Sequence, residues 1–178
     1  MTRDHSLVTG YVLNHIQLPR LSTLALLIAW ITPAWSGDQV YLLQEQLLGS
    51  ATDAPQYSFR SIGAVAGARK LALPQVGSHV LVLTGEGRVR AWGNNSQGQL
   101  GVGDTSAREG WVEIEELTGV VDMAAGSVHS IALLGDGTVW TWGANDQGQL
   151  GDGSLVAKLR PVAVSRLTDV TGVAAGKR

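Results

Sequence analysis

The chain has 178 residues, with 13 Lys or Arg against 15 Asp or Glu and a net charge of -2. That is room for one modest domain, without the basic excess that phosphate-backbone binding demands, so nucleic acid is excluded as an expected partner. It has no cysteine, which rules out a disulfide framework or thiolate metal site, while 23 Gly and 6 Trp against a single Phe point to many tight turns held by a few large aromatic anchors.

Residues 1–36 have the outline of a secretory signal. Leu21 to Ile31 is an apolar run preceded by Arg20 and followed by Thr32-Pro33-Ala34-Trp35-Ser36-Gly37. Ala34 and Ser36 supply the small-residue pattern for a cut after Ser36. The run is short for a bilayer crossing, which takes roughly 20 apolar residues. The long stretch ahead of it, with Arg3 and Asp4, is atypical of a leader, and a buried or interfacial helix is the alternative. Removal of the leader leaves a mature chain starting near Gly37, secreted or periplasmic, whose only link to a membrane is this segment. Without a leader the protein is expected in the cytoplasm.

Residues 37–75 are either a worn copy of the repeat described next or a linker. Val40 to Gly49, VYLLQEQLLG, suits a short helix or a strand, and Ser50 to Ser58 reads as a loop. Ala64-Val65-Ala66-Gly67 and Leu71-Ala72-Leu73 faintly echo Ala124-Ala125-Gly126 and Ile131-Ala132-Leu133.

From residue 76 onward the chain repeats. Trp92-Gly93-Asn94-Asn95-Ser96-Gln97-Gly98-Gln99-Leu100-Gly101 returns as Trp142-Gly143-Ala144-Asn145-Asp146-Gln147-Gly148-Gln149-Leu150-Gly151, an offset of 142 minus 92, or 50. The same offset joins His79 to His129, Gly87 to Gly137, Val112 to Val162, Leu117 to Leu167 and Val120 to Val170. Two units follow, 76–123 and 124–173, with the start of a third at 174–178.

Each unit reads as four short strands. Ser130 to Leu134 and Val139 to Trp142 flank Gly135-Asp136-Gly137-Thr138, and Asp-Gly between two apolar runs predicts a hairpin. The stretch W-G-x-N-x-x-G-Q-L-G predicts a shaped loop from which Leu100 and Leu150 point into the core. Val112 to Glu115, Val162 to Ser165, Val120 to Ala124 and Val170 to Ala174 supply the remaining strands. Four short strands per period are the pattern of one β-propeller blade.

The run A-A-G-x-x-H-S-I-A-L-x-x-D-G-x-V-W-x-W-G-x-N-x-x-G-Q-L-G, from Ala124 to Gly151, resembles the repeat of the regulator of chromosome condensation family. The resemblance extends over about Val76 to Arg178, and the Gly-Gly pair of kelch repeats and the Trp-Asp of WD40 blades are missing. It implies an all-β fold, a seven-bladed propeller with blades of about fifty residues. Two clear units make this an incomplete propeller, and self-association of copies is one way to complete it, since about three or more repeats are normally needed for stability. The repeat signature consists of Trp92, Gly93, Asn95, Gly98, Gln99, Leu100, Gly101, His129, Trp142, Gly143, Asn145, Gly148, Gln149, Leu150 and Gly151.

The residues offer little chemistry. His79 and His129 occupy equivalent repeat positions, so they are expected to hydrogen-bond within their blades and not to serve as general bases. No His cluster has metal-site spacing, Asn145-Asp146 with Asp152 lacks the pattern of an EF-hand loop, and the Gly-rich loops lack the ending of a phosphate cradle. No catalytic residue, metal or cofactor is therefore expected, and the chain is read as non-enzymatic. Trp92 and Trp142 match across the units and are expected between blades. Trp140 and Arg90 differ at one repeat position, Trp111 and Pro161 at another. Trp140, Trp111, Arg88 and Arg90 are accordingly the candidate contacts with a protein partner.

Three functions follow as expectations. The leading one is a non-catalytic protein-binding scaffold, exported if the leader is real. Resemblance to the family also implies the alternative of guanine-nucleotide exchange on a small GTPase, and the third reading is a truncated fragment without activity of its own.

Overall fold

Strands form where apolar and β-branched residues alternate between glycine-containing turns, and this chain is built from little else. The computed structural model describes residues 29–32, 39–46 and 56–177. In chain order the strands are β1 (Ala29–Thr32), β2 (Gln39–Gln46), β3 (Gln56–Ala64), β4 (Ala68–Ala72), β5 (His79–Thr84), β6 (Val89–Gly93), β7 (Arg108–Glu113), β8 (Val120–Ala125), β9 (His129–Leu134), β10 (Val139–Gly143) and β11 (Lys158–Ala163). They make three antiparallel meanders: a three-stranded sheet β1-β2-β3, a four-stranded sheet β4-β5-β6-β7 and a second four-stranded sheet β8-β9-β10-β11. The two four-stranded sheets are blades of an incomplete all-β propeller, called here the first and second blades.

The central hairpin of each blade forms as its turn residues require. Gly137 N donates to Leu134 O at 3.0 Å, Leu134 N donates to Thr138 O at 2.9 Å, and Gly137 has φ 82°. This is a type I turn closed by a left-handed residue, the geometry that a three-residue loop with Gly at its end selects. Gly87 and Thr84 repeat it at 3.0 Å in the first blade.

Several expected boundaries move. The fourth strand of each blade spans Arg108–Glu113 and Lys158–Ala163 and not residues 112–115 and 162–165, because the ladder to the third strand starts at the pairs Gly93 with Arg108 and Gly143 with Lys158. Residues 170–174 are not a strand. Their counterpart, Val120–Ala125, is held by pairing with β9, and no strand among the described residues forms a ladder with 170–174. A sheet also takes its first strand from the run before its own hairpin, so the first blade starts at Ala68, inside the segment 37–75, and the second at Val120.

In that segment, the helix-or-strand ambiguity at Val40 resolves to strand β2, and β3 occupies residues 56–58, read from sequence as loop. The apparent match of Leu71-Ala72-Leu73 to Ile131-Ala132-Leu133 joins non-equivalent places, since Leu71 and Ala72 lie in an outer strand, β4, and Ile131 in an interior one, β9. The predicted leader, 1–36, lies outside the described residues apart from Ala29–Thr32, which is strand, and the cut after Ser36 falls outside them altogether. Among the described residues no helix is long and apolar enough to cross a membrane.

The main core fills the seam between the two blades. Leu81, Leu83, Val89, Ala91, Leu100, Ile114 and Leu117 from the first meet Val120, Met123, Ala125, Ala132 and Trp142 from the second. A second core joins Val40, Ile62 and Val65 to Val80 and Val82 of the first blade, with Trp92 and Trp111 packed against it.

Candidate functional site

The repeat signature builds two structures, a polar seam between blades and a self-bonded loop. At the seam, His79 Nε2 lies 3.1 Å from Ser130 Oγ, which donates to the carbonyl of Gln99 at 2.8 Å. Trp142 Nε1 donates to the same carbonyl at 2.8 Å. His79 belongs to β5 and Ser130 to β9, so the histidine bonds across the seam and not within its blade as sequence suggested. Burial, aided by the charge of His129, lowers the His79 pKa from 6.5 to about 4, and burial lowers that of His129. Both imidazoles are buried, and the partner of His79 is the serine that joins the two blades.

In the loop, the fully buried Asn145 does the shaping. Its Nδ2 donates to Asp152 Oδ1 at 3.0 Å and Ser154 O at 3.0 Å, while its Oδ1 accepts from Leu150 N at 3.0 Å. Asn95 does the same with Asp104 O at 2.8 Å and Leu100 N at 2.9 Å. Leu100 and Leu150 are thereby pinned inward and buried. Asp152, once imaginable as a calcium ligand, is instead saturated by Ser154, Lys158 and Asn145, which together hold its carboxyl down to about 2. Among the described residues no group of three His, Asp or Glu converges to hold a metal ion.

The predicted partner contacts separate. Trp140 is half-buried, packs on the main core and donates to Thr138 Oγ1 at 3.3 Å. Trp111 turns inward against β3, its ring 3.3 Å from where a side chain on Gly63 would begin. Trp142 is sealed in the seam, whereas Trp92 packs against the second core and donates to Glu109 O at 2.9 Å. Arg88 and Arg90 come together. Their Nε atoms lie 3.2 and 3.6 Å from the two carboxylate oxygens of Glu113. They line a depression of about 320 Å³ at the hairpin end of the first blade, with Thr84, Glu86 and the turn at Ala66-Gly67. The Nε of Arg90 is buried and makes no hydrogen bond. Glu113 was missed from sequence because its importance comes from the β6–β7 register, which pairs it with Arg90.

With this geometry in view, the comparisons with known proteins are consistent among themselves. The Regulator of chromosome condensation (RCC1) repeat matches residues 86–133 and 136–178, just over half the chain, and a second form of the repeat matches 120–149. The human E3 ubiquitin-protein ligase HERC2 is 44% identical over 64 residues, 35% of this chain and 1% of that protein. The crystal structure of human WBSCR16 superposes with a TM-score of 0.63 at 27% identity, covering 82% of this chain and 39% of that one. That of Prp20p from Saccharomyces cerevisiae, described with its binding to Gsp1p and histones, gives 0.55 at 27% identity, covering 78% and 35%. The chain thus spans well under half the length of these relatives. The repeat, its polar seam and its asparagine-shaped loops place this chain in the regulator of chromosome condensation repeat family.

Proposed function

We propose that the chain is a non-catalytic protein-binding scaffold whose contact surface includes the Arg88–Arg90–Glu113 depression. One observation carries the reading: Arg88 and Arg90, with side chains 39% and 40% exposed, share the single carboxylate of Glu113 in the lining of the depression, so two guanidinium groups stand at the surface against one paired acceptor. A planar guanidinium in that state suits a partner that brings carboxylate or backbone carbonyl oxygens. The corresponding positions of the second blade, Thr138, Trp140 and Ala163, carry no charge. The similarity to Prp20p, which binds the proteins Gsp1p and histones, supports a protein partner.

The test is binding of a partner identified by crosslinking from position 90. The double variant R88E/R90E is expected to lose at least tenfold in affinity, about 1.4 kcal/mol or more, while the fold stays intact by circular dichroism. Equal binding by the variant removes the depression from the reading. Acceleration of nucleotide release from a small GTPase by the purified chain would favour the exchange-factor alternative, and a chain that neither folds nor binds would favour the inactive fragment. Export belongs to the same reading and rests on the apolar run Leu21 to Ile31; recovery of the protein from the cytoplasm alone would remove it.

A further inference from the structure

We propose that β1, β2 and β3 are a further, diverged blade set against the first blade, so that the mature protein retains Ala29. The strand positions carry the first part of the argument. β1, β5 and β9 begin at residues 29, 79 and 129; β2, β6 and β10 at 39, 89 and 139; and β3, β7 and β11 at 56, 108 and 158. The fifty-residue period thus continues upstream of the first recognisable sequence repeat in the first two strands, and the third, 108 minus 56 or 52 residues before its counterpart, departs from it by two.

Register carries the second part. Val40 pairs with Gly63, Arg90 with Glu113 and Trp140 with Ala163, each in step with the period, and each pairing is followed closely by a bulge. The departure is in the other ladder, where Ala29 pairs with Leu42, one residue short of what His79–Gly93 and His129–Gly143 predict. Packing carries the third. Val40 and Ile62 are buried against Val80 and Val82 with Trp92 beside them; fifty residues later, Val112 packs in the main core with Ala132 and Trp142. Apolar side chains thus meet at equivalent repeat positions, although the strands that touch differ, β3 against β7 here and β5 against β8 in the seam between the first and second blades.

The divergence lies in the signature sequence. Residues 42–51 read LLQEQLLGSA where the later units have W-G-x-N-x-x-G-Q-L-G, so the signature is gone while the strands, which need only a suitable apolar face, persist. A leader that is removed therefore ends before Ala29. A cut after Ser36 would strip β1 and leave β2 as a bare edge. The inference holds whether or not the protein is exported.

Its test begins with the intact mass and N-terminal sequence of the full chain recovered from the cells that make it. A first residue at or before Ala29 is expected; one at Gly37, or anywhere past Ala29, overturns the proposal. Hydrogen exchange then reads the sheet directly. Amides of Gln39–Gln46 are expected to exchange slowly in the full chain and in a chain lacking residues 1–28, and to lose that protection when residues 1–36 are removed. Equal protection in both shortened chains, or its loss in the longer one, overturns it.

Discussion

His79 and Ser130, from neighbouring blades, meet at 3.1 Å between Nε2 and Oγ in the buried seam, and the serine passes the contact on to Gln99 O at 2.8 Å. A side chain that is modest in sequence terms therefore holds two blades in register, and its removal leaves the buried His79 Nε2 without its partner, while Gln99 O keeps the indole of Trp142. Ser130→Ala is expected to cost about 1–3 kcal/mol of unfolding free energy. The double variant with His79→Leu should be less destabilised than the sum of the two single changes, because the pair acts as a unit. Urea unfolding of the four proteins in the cycle measures this, and strict additivity would show that the contact contributes nothing.

The same seam makes stability depend on pH. His79 has a folded pKa of about 4 against an ordinary 6.5, so the unfolded chain takes up its proton first as pH falls. The contribution from a neutral His79 is full above about pH 6.5, declines between there and about 4, and is gone below. Its size is on the order of 3 kcal/mol. Burial lowers His129 as well and adds in the same direction. Denaturant titrations from pH 7.5 to 4 should show falling stability, with a shallower slope in His79→Gln; parallel slopes would remove His79 as the cause.

Two glycines of the signature separate backbone strain from packing. Gly101 and Gly151 share a left-handed conformation, φ 72° and 66°. A methyl group at 101 would lie 2.8 Å from Trp142 Nε1, while one at 151 would meet only Val164 Cγ1, at 3.8 Å. Both alanine variants bear the conformational cost of about 1 kcal/mol. Gly101→Ala should lose more by about 1–3 kcal/mol, since the seam must open around Trp142. Equal losses, read from thermal or urea unfolding, would mean that the ring moves aside freely.

Asn145→Ala should destabilise by roughly 2 kcal/mol, leaving Leu150 N without its acceptor. The sharper readout is local. Hydrogen exchange at the Leu150 amide should quicken, while that at the Leu100 amide, held by Asn95, stays as it was. Acceleration at both would show that the two loops do not act separately.

The blades could be read from the chain alone because their information is local. Asp136-Gly137 selects a hairpin through the backbone conformation of one residue, and the fifty-residue return of Trp142, Asn145 and Leu150 marks equivalent places without reference to anything distant. What only the tertiary structure decided is which surfaces meet. Ladder pairing assigned β8 to the sheet of β9 instead of the unit before it, set Glu113 beside Arg90 and turned Trp111 inward under Gly63. It also drew Ala29–Thr32 into a sheet, although the end of an apolar run reads in sequence as leader. Strand pairing and seam packing join residues far apart in the chain, and an apolar residue carries no mark of which face will bury it. The periodicity determined the repeat; the partners of each strand and side chain were settled only when the sheets stacked.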